Sequence, residues 1–310
     1  MSSEVRVSIQ GCRGSFPVSG QDYVRYGGST SCIVVSVDDL EIILDAGTGI
    51  VNYGRGLLRK AIREGRSLRS TIFFSHLHFD HLAGLPFFAP LFHPASTVHF
   101  FGPRSSRFGY LENSLNHLFQ SPYFPVSLYE MQSVKTFEEL GESEVVYFLR
   151  SDPRPKKFRP AHPDFANQIP PEEDILAEVH CMRGYNHPKS GVSIYKVIAA
   201  GKTFVYATDT EGYVYGDQRL ARFSQNADLL VHDAMYTDEH YASLPVPSQG
   251  YGHSTVQIAV DLAKLAGVKR LCLFHHDPNS TDDHLDKVAR EAELLFPDVT
   301  VAQDGLTFSL

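Results

Sequence analysis

The stretch Phe73-Phe74-Ser75-His76-Leu77-His78-Phe79-Asp80-His81-Leu82-Ala83-Gly84-Leu85 puts three imidazoles and a carboxylate within six residues, directly behind an apolar run. Successive side chains of an extended segment point to opposite faces, so His76 and His78 face the same way. A turn and helix start after them would let Asp80 and His81 converge from the other side, and two adjacent metal sites can then share one loop. A run of surface histidines is the alternative, and crowding behind a buried strand argues against it. Nitrogen and carboxylate donors without cysteine suit zinc; manganese or iron would take the same set, and spacing does not choose among them.

Outward from this loop, short β-branched runs recur from end to end: Val5 to Ile9, Cys32 to Val37, Glu41 to Leu44, Thr71 to Phe74, Val192 to Val197, Thr203 to Tyr206, Leu229 to Val231 and Arg270 to Phe274. They read as strands. Between them lie helical patterns, Val256 to Ala266 with Ser254 or Thr255 as cap and Gly267 beyond, and Leu285 to Phe296 stopped by Pro297. Alternating strands and helices make an α/β protein. The stretch Ser151 to Glu173 breaks the pattern, with prolines at 153, 155, 160, 163, 170 and 171 set among charged residues, and reads as an excursion or flexible loop.

Composition narrows the field. The 310 residues are 43% hydrophobic and 21% charged, which excludes a disordered or collagen-like chain and allows a sizeable core. The formal charge of −8 disfavours a nucleic-acid binder with a broad basic surface, though a local patch such as Arg154 to Arg159 survives within it. Cys12, Cys32, Cys181 and Cys272 form no CxxC pair, as expected of reduced thiols in the cytoplasm. No secretory signal follows Met1, and the most apolar window, Leu82 to Pro94, falls well short of the roughly 20 residues of a membrane span. It reads as buried or pocket-lining structure.

The HxHxDH segment resembles the signature of the metallo-β-lactamase superfamily. That resemblance implies an αββα sandwich, two mixed β-sheets flanked by helices, taken here as a single domain over residues 1–310 with a proline- and charge-rich insert at about 151–173. It also implies three later ligands, each near a strand end: a third His, a bridging Asp and a final His. In chain order these are His187 in Arg183-Gly184-Tyr185-Asn186-His187-Pro188, Asp209 after the run to Thr208, and His275 after Leu271-Cys272-Leu273-Phe274. His276 rivals His275, and register with the family's Leu-x-His ending favours His275. His180 competes with His187. The remaining histidines, His93, His99, His117, His162, His240 and His284, read as surface or structural.

Two further segments, Val231-His232-Asp233-Ala234 and Gly252-His253-Ser254-Thr255, resemble the paired His-Glu-Ala and His-Ser-Thr motifs of the superfamily's phosphodiesterase branch, which includes the tRNA 3′-processing endonuclease. By position this gives His253 as proton donor and Asp233 as its partner, with Asp here in place of Glu. Gly11-Cys12-Arg13-Gly14-Ser15, Tyr26-Gly27-Gly28-Ser29-Thr30-Ser31-Cys32 and Leu44-Asp45-Ala46-Gly47-Thr48-Gly49 also look like this branch, so the likeness covers most of the chain. Asp45 would hydrogen-bond a ligand histidine and fix its tautomer.

The implied enzyme is a dinuclear metal-dependent phosphodiesterase. His76, His78, Asp80, His81, His187, Asp209 and His275 would hold two divalent ions, zinc first, while His253, Asp233 and Asp80 serve the chemistry. The expected substrate is a small or cyclic phosphodiester, such as a cyclic nucleotide or a cyclic ribose phosphate. RNA is the second expectation, through tRNA 3′-processing, although no Lys-rich, Gly-flanked arm is visible. Hydrolysis of a lactam, lactone or thioester is the third, and a non-hydrolytic di-iron module the last. The resemblance further implies a homodimer, in which the insert or the segment Tyr110 to Tyr129 would cover a neighbour's pocket.

Overall fold

The computed structural model describes residues 4–104, 109–160, 169–213 and 216–310. Runs of β-branched and aromatic residues form two mixed sheets. The first holds β1 (Val5–Gly11), β2 (Cys32–Val37), β3 (Leu40–Leu44), β4 (Leu68–Phe73), β5 (Ser96–Gly102) and β6 (Val134–Glu139) in chain order. The second runs through β7 (Val145–Leu149), β8 (Lys156–Phe158), β9 (Ile175–Gly184), β10 (Val192–Ala199), β11 (Lys202–Ala207), β12 (Leu229–Asp233), β13 (Leu271–Phe274) and β14 (Val299–Val301). Its spatial order is β14-β13-β12-β11-β10-β9-β7-β8, and β15 (Thr307–Ser309) returns to the first sheet beside β1.

The two sheets pack on a shared core that includes Val7, Val35, Phe73 and Phe101 from one side and Val179, Val197, Tyr206 and Phe274 from the other. Helices cover both outer faces. Ile50–Glu64 and the 3-10 turns of residues 85–92 pack on the first sheet, while Val256–Ala266 and Asp282–Leu295 pack on the second. The architecture is therefore the α/β, αββα sandwich. All four cysteines are buried and unpaired. Among the described residues no helix is long and apolar enough to cross a membrane.

Several elements escape a reading of periodicity alone. The helix Ile50–Glu64 contains Gly54 and Gly56, poor helix formers, and Gly54 is there because a Cβ would meet the Phe88 ring at 2.4 Å. The ten-residue β9 carries Glu178, His180 and Arg183, so its apolar signal is diluted although it pairs on both sides. The last helix starts at Asp282, three residues earlier than its apolar pattern, because Thr281 caps it through His284 N. The proline-rich stretch is not wholly loop. Residues 156–158 pair with β7, and Glu172–Asp174 form a 3-10 turn; residues 161–168, with His162 and Pro163, lie outside the described residues. Leu82 to Pro94 is a chain of 3-10 turns that buries Leu82, Leu85, Phe88 and Leu91 and leaves Phe87 and Phe92 exposed.

The sheets are tied together beside the histidine loop. Ser193 N donates to Ser75 O at 2.7 Å, and the buried Tyr195 hydroxyl donates to Phe74 O at 2.6 Å. Removing a buried donor leaves its acceptor unsatisfied, a loss of about 1–3 kcal/mol. Tyr195→Phe is expected to lower the unfolding free energy by about that amount in a urea titration; an unchanged midpoint and slope would show that the inter-sheet bond contributes nothing.

Candidate metal centre

Strand ends supply the site. In the first sheet β3 and β4 run parallel, so Asp45 and the segment Ser75–His81 leave from the same edge. In the second, β11, β12 and β13 run parallel and deliver Asp209, Asp233 and His275 to one edge. His187 enters from the loop between β9 and β10. Clustering at carboxyl ends of parallel strands is where open α/β sheets leave a crevice.

The structure brings His76, His78, His187 and Asp209 into one group, and Asp80, His81 and His275 into a second that adjoins Asp209. His78 Nδ1 and His187 Nε2 lie 3.1 Å apart, and Asp209 Oδ1 lies 3.6 Å from both His76 Nε2 and His187 Nε2. On the other side Asp209 Oδ2 is 3.2 Å from His81 Nε2 and 3.3 Å from His275 Nε2, while Asp80 Oδ2 is 3.3 and 3.2 Å from the same two atoms. Asp209 thus turns one oxygen to each group. A tetrahedral ion bound at 2.0–2.1 Å spaces its donors about 3.4 Å apart, so both donor sets have the size of a zinc-like coordination shell. His76 Nε2 is buried without a hydrogen-bond partner, as a donor atom reserved for a cation would be. The arrangement fits a dinuclear metal site.

Electrostatics agree with that fit. Burial lowers the pKa values of His76, His78 and His187, which keeps them neutral, the form in which imidazole binds metal. Burial also opposes charge on His81, yet Asp209, Asp80 and Asp45 outweigh it and push its pKa up. Carboxylates buried this closely call for a cation among them.

Hydrogen bonds fix the donors. Asp45 Oδ2 accepts from His81 Nδ1 at 2.7 Å and from the Tyr206 hydroxyl at 2.9 Å, while Ser75 donates to Asp45 through both N and Oγ at 2.7 Å. Gly252 O receives His187 Nδ1 at 3.1 Å, and Ser15 N donates to Asp80 Oδ2 at 2.8 Å. Gly14 lets the chain pass against the His275 ring, where a Cβ would sit 2.4 Å from Cε1. His276 stands apart from the cluster, bonded through Nε2 to Ala302 O, with its pKa pushed down to about 3 by burial. His180 is likewise elsewhere, bonded to Glu178 on β9.

Beside the cluster His253 Nδ1 bonds Asp233 Oδ2 at 2.7 Å, and its ring stacks on His275 with centroids 4.9 Å apart. Asp233 is held by three backbone N–H groups, those of Ser254 (2.9 Å), Asp209 (3.1 Å) and Met235 (3.2 Å). Burial opposes a charge on His253, but Asp233 prevails and its pKa is pushed up to about 9. A cleft of about 780 Å³ opens over His78, His187 and His253. Leu77, Leu118 and Tyr251 line it, and so do Arg104, Lys189 and His117; among the described residues no carboxylate does.

Sequence reasoning missed four participants: Ser75, Tyr206, Ser15 and Glu211. The first three act through hydrogen bonds across the fold, which no local pattern announces. Glu211 accepts Gly250 N at 2.8 Å, Gly252 N at 2.9 Å and the Tyr241 hydroxyl, so it ties down the loop that carries Tyr251 and orients His187. Its only signal was proximity to Asp209.

A family profile described as a Beta-lactamase superfamily domain matches residues 176–276. Ribonuclease Z from Thermoplasma volcanium is 26% identical over 326 aligned positions that span 100% of this chain and 99% of the relative. Ribonuclease Z from Gemmatimonas aurantiaca is 28% identical over 88% of this chain and 90% of its own length. Among solved structures, the metallo-β-lactamase fold protein YhfI from Bacillus subtilis superposes with a TM-score of 0.63 at 19% identity, covering 99% of this chain and 100% of that one.

The bridging position of Asp209 makes a direct test available. Asp209→Ala is expected to bring bound metal well below two ions per chain by inductively coupled plasma mass spectrometry, and undiminished content would remove Asp209 from the centre.

Proposed function

We propose that this chain, which matches a Beta-lactamase superfamily domain over residues 176–276 and resembles proteins named ribonuclease Z along its length, is a metal-dependent hydrolase that cleaves phosphodiester bonds in RNA, at the 3′ side of precursor tRNA. The observation that carries the reading is the Asp233–His253 pair, bonded at 2.7 Å and stacked against the donor cluster. His76, His78, His187 and Asp209 would hold one divalent ion, and Asp80, His81, His275 and Asp209 the other, with zinc the best match to the donor set. Two such ions supply a Lewis acid for phosphate oxygens and lower the pKa of a water toward about 7.

The chain's own residues do the rest. Because Asp233 accepts from His253 Nδ1, the imidazolium presents its Nε2 proton to the cleft. A phosphodiester breaks to an alkoxide, and His253 would hand that proton to the leaving oxygen, a contribution of about 10² to 10⁴ in rate. Asp233 positions the ring and keeps it charged. Arg104 and Lys189 stand where a phosphate-bearing strand would lie, and Tyr251, 54% exposed, offers a face for an unstacked base. Full-length likeness to proteins named ribonuclease Z supports RNA over the small or cyclic diester that the acidic composition first favours. The small diester stays as the second reading, because among the described residues the strong cations lining a cleft of about 780 Å³ are Arg104 and Lys189, on a chain of net charge −8.

The deciding experiment compares precursor tRNA, 2′,3′- and 3′,5′-cyclic nucleotides and bis(p-nitrophenyl) phosphate on one sample of counted metal content. Preferred turnover of precursor tRNA, falling steeply with salt as counterions are released, supports the RNA reading; a shallow dependence with faster cyclic nucleotides supports the small diester. No diester turnover from a sample holding two ions per chain would sink both and leave lactone or thioester hydrolysis. His253→Ala should keep both ions and lose about 10²-fold or more in kcat, and retained turnover would make His253 structural. Lys189→Ala should raise KM for tRNA, flatten its salt dependence and leave bis(p-nitrophenyl) phosphate nearly untouched; an unchanged salt slope would take Lys189 off the RNA path.

A further inference from the structure

The inward face of the first sheet changes character away from the histidine cluster. On β4 and β5, Arg69 pairs with Thr97, Thr71 with His99 and Phe73 with Phe101. Strand alternation sets all six on the face that carries Phe73 and Phe101 into the core between the sheets. Where that face is covered it calls for apolar side chains, and the chain supplies the buried Thr71 and His99 instead, with the exposed Arg69 at the rim beyond them. Polar residues at inward positions of neighbouring strands are functional or an error of design. They sit toward the start of strands whose far ends lead to the metal centre, at the opposite end of the seam.

A cavity of about 410 Å³ opens there, with Phe148, Leu149 and Leu176 of the second sheet as its apolar wall. His99 is only 6% exposed; its Nδ1 bonds Thr136 Oγ1 at 2.8 Å and its Nε2 has no partner. Buried polar atoms are rarely left this way. Among the described residues the Arg69 guanidinium is in no ion pair. Two carboxylates of the lining are engaged elsewhere, Glu41 by the Ser36 and Tyr53 hydroxyls at 2.7 and 2.9 Å and Asp152 by Lys156 and Arg154 at 3.2 and 3.4 Å. The third, Asp39, is exposed at the rim. Burial, then Arg69 and Arg154, disfavour a charge on His99, so its neutral ring sits in a positive field.

We propose that this cavity is a second ligand site, for a small organic anion with an apolar body. The anionic head would take the Arg69 guanidinium and the His99 Nε2 proton, with Nδ1 accepting from Thr136. The body would lie on Phe148, Leu149 and Leu176, in a volume within the range of small-molecule sites. The site is independent of the catalytic reading.

The probe is 1-anilinonaphthalene-8-sulfonate, an aromatic sulfonate without a phosphodiester bond, titrated into the metal-loaded protein and followed by fluorescence. One saturable site per chain is expected, weakened about ten-fold or more in Arg69→Gln and lost in His99→Phe. Both variants should keep metal content and turnover of bis(p-nitrophenyl) phosphate, and excess substrate should leave the probe bound. Absence of saturable binding, binding unchanged in Arg69→Gln, or displacement of the probe by substrate would each overturn the proposal. If His99→Phe fails to fold, Arg69→Gln, a change at an exposed side chain, decides alone.

Discussion

Everything at the centre turns on the carboxylate of Asp209, which is almost wholly buried and faces donors from both sheets. Its own strand, β11, belongs to the second sheet, whereas His76 and His81 leave from β4 of the first. The two sheets must therefore hold a fixed spacing for its oxygens to reach both donor groups. Tyr195 and Ser193 bond across to residues 74 and 75 at that height, next to the loop whose geometry matters. Burying carboxylates among imidazoles without cations would cost more than their mutual attraction returns. Cations held between the two donor groups would offset that cost.

The backbone bears a second cost of the same kind. Asp45, Asp209 and His275 all have left-handed φ values, 62°, 51° and 64°. Non-glycine residues adopt that region rarely, at about 1–3 kcal/mol each. Each of the three follows directly on or near the end of a parallel strand, where the chain must turn sharply so that its side chain aims across the crevice. Glycine would relieve the strain and remove the functional group. The neighbours meet the remaining steric demand instead, as Gly14 does beside His275.

Much of this was legible in the sequence, and the unread part has a physical pattern. His76 and His78 share one donor group because two residues apart in an extended segment means one face, and the 3-10 turn Phe79–His81 carries Asp80 and His81 to the other. His187, Asp209 and His275 came from resemblance and chain order, since a single His or Asp after a strand has no periodic signature. All four participants that went unread are defined by partners over 20 residues away, such as Tyr206 against Asp45 and Glu211 against Gly252. His117 read as surface or structural, and it is exposed, at the rim of the cleft, where it follows the short helix Leu111–Asn116. Strands failed to announce themselves where polar residues interrupt the apolar pattern, as in β9 and at His99 in β5.

The short side chain of Asp233 reaches its partner because local structure holds it there. Asp233 is the last residue of β12, parallel to β11 and β13, so its Cβ starts within the crevice rather than behind it. Backbone N–H groups of Asp209, Met235 and Ser254 hold the carboxylate from three directions and leave Oδ2 aimed at His253. One of those donors belongs to Asp209 itself, so the residue that faces both donor sets also braces the Asp233–His253 pair. Movement of the β11 turn would disturb both at once, which couples the position of the Asp209 carboxylate to the orientation of His253.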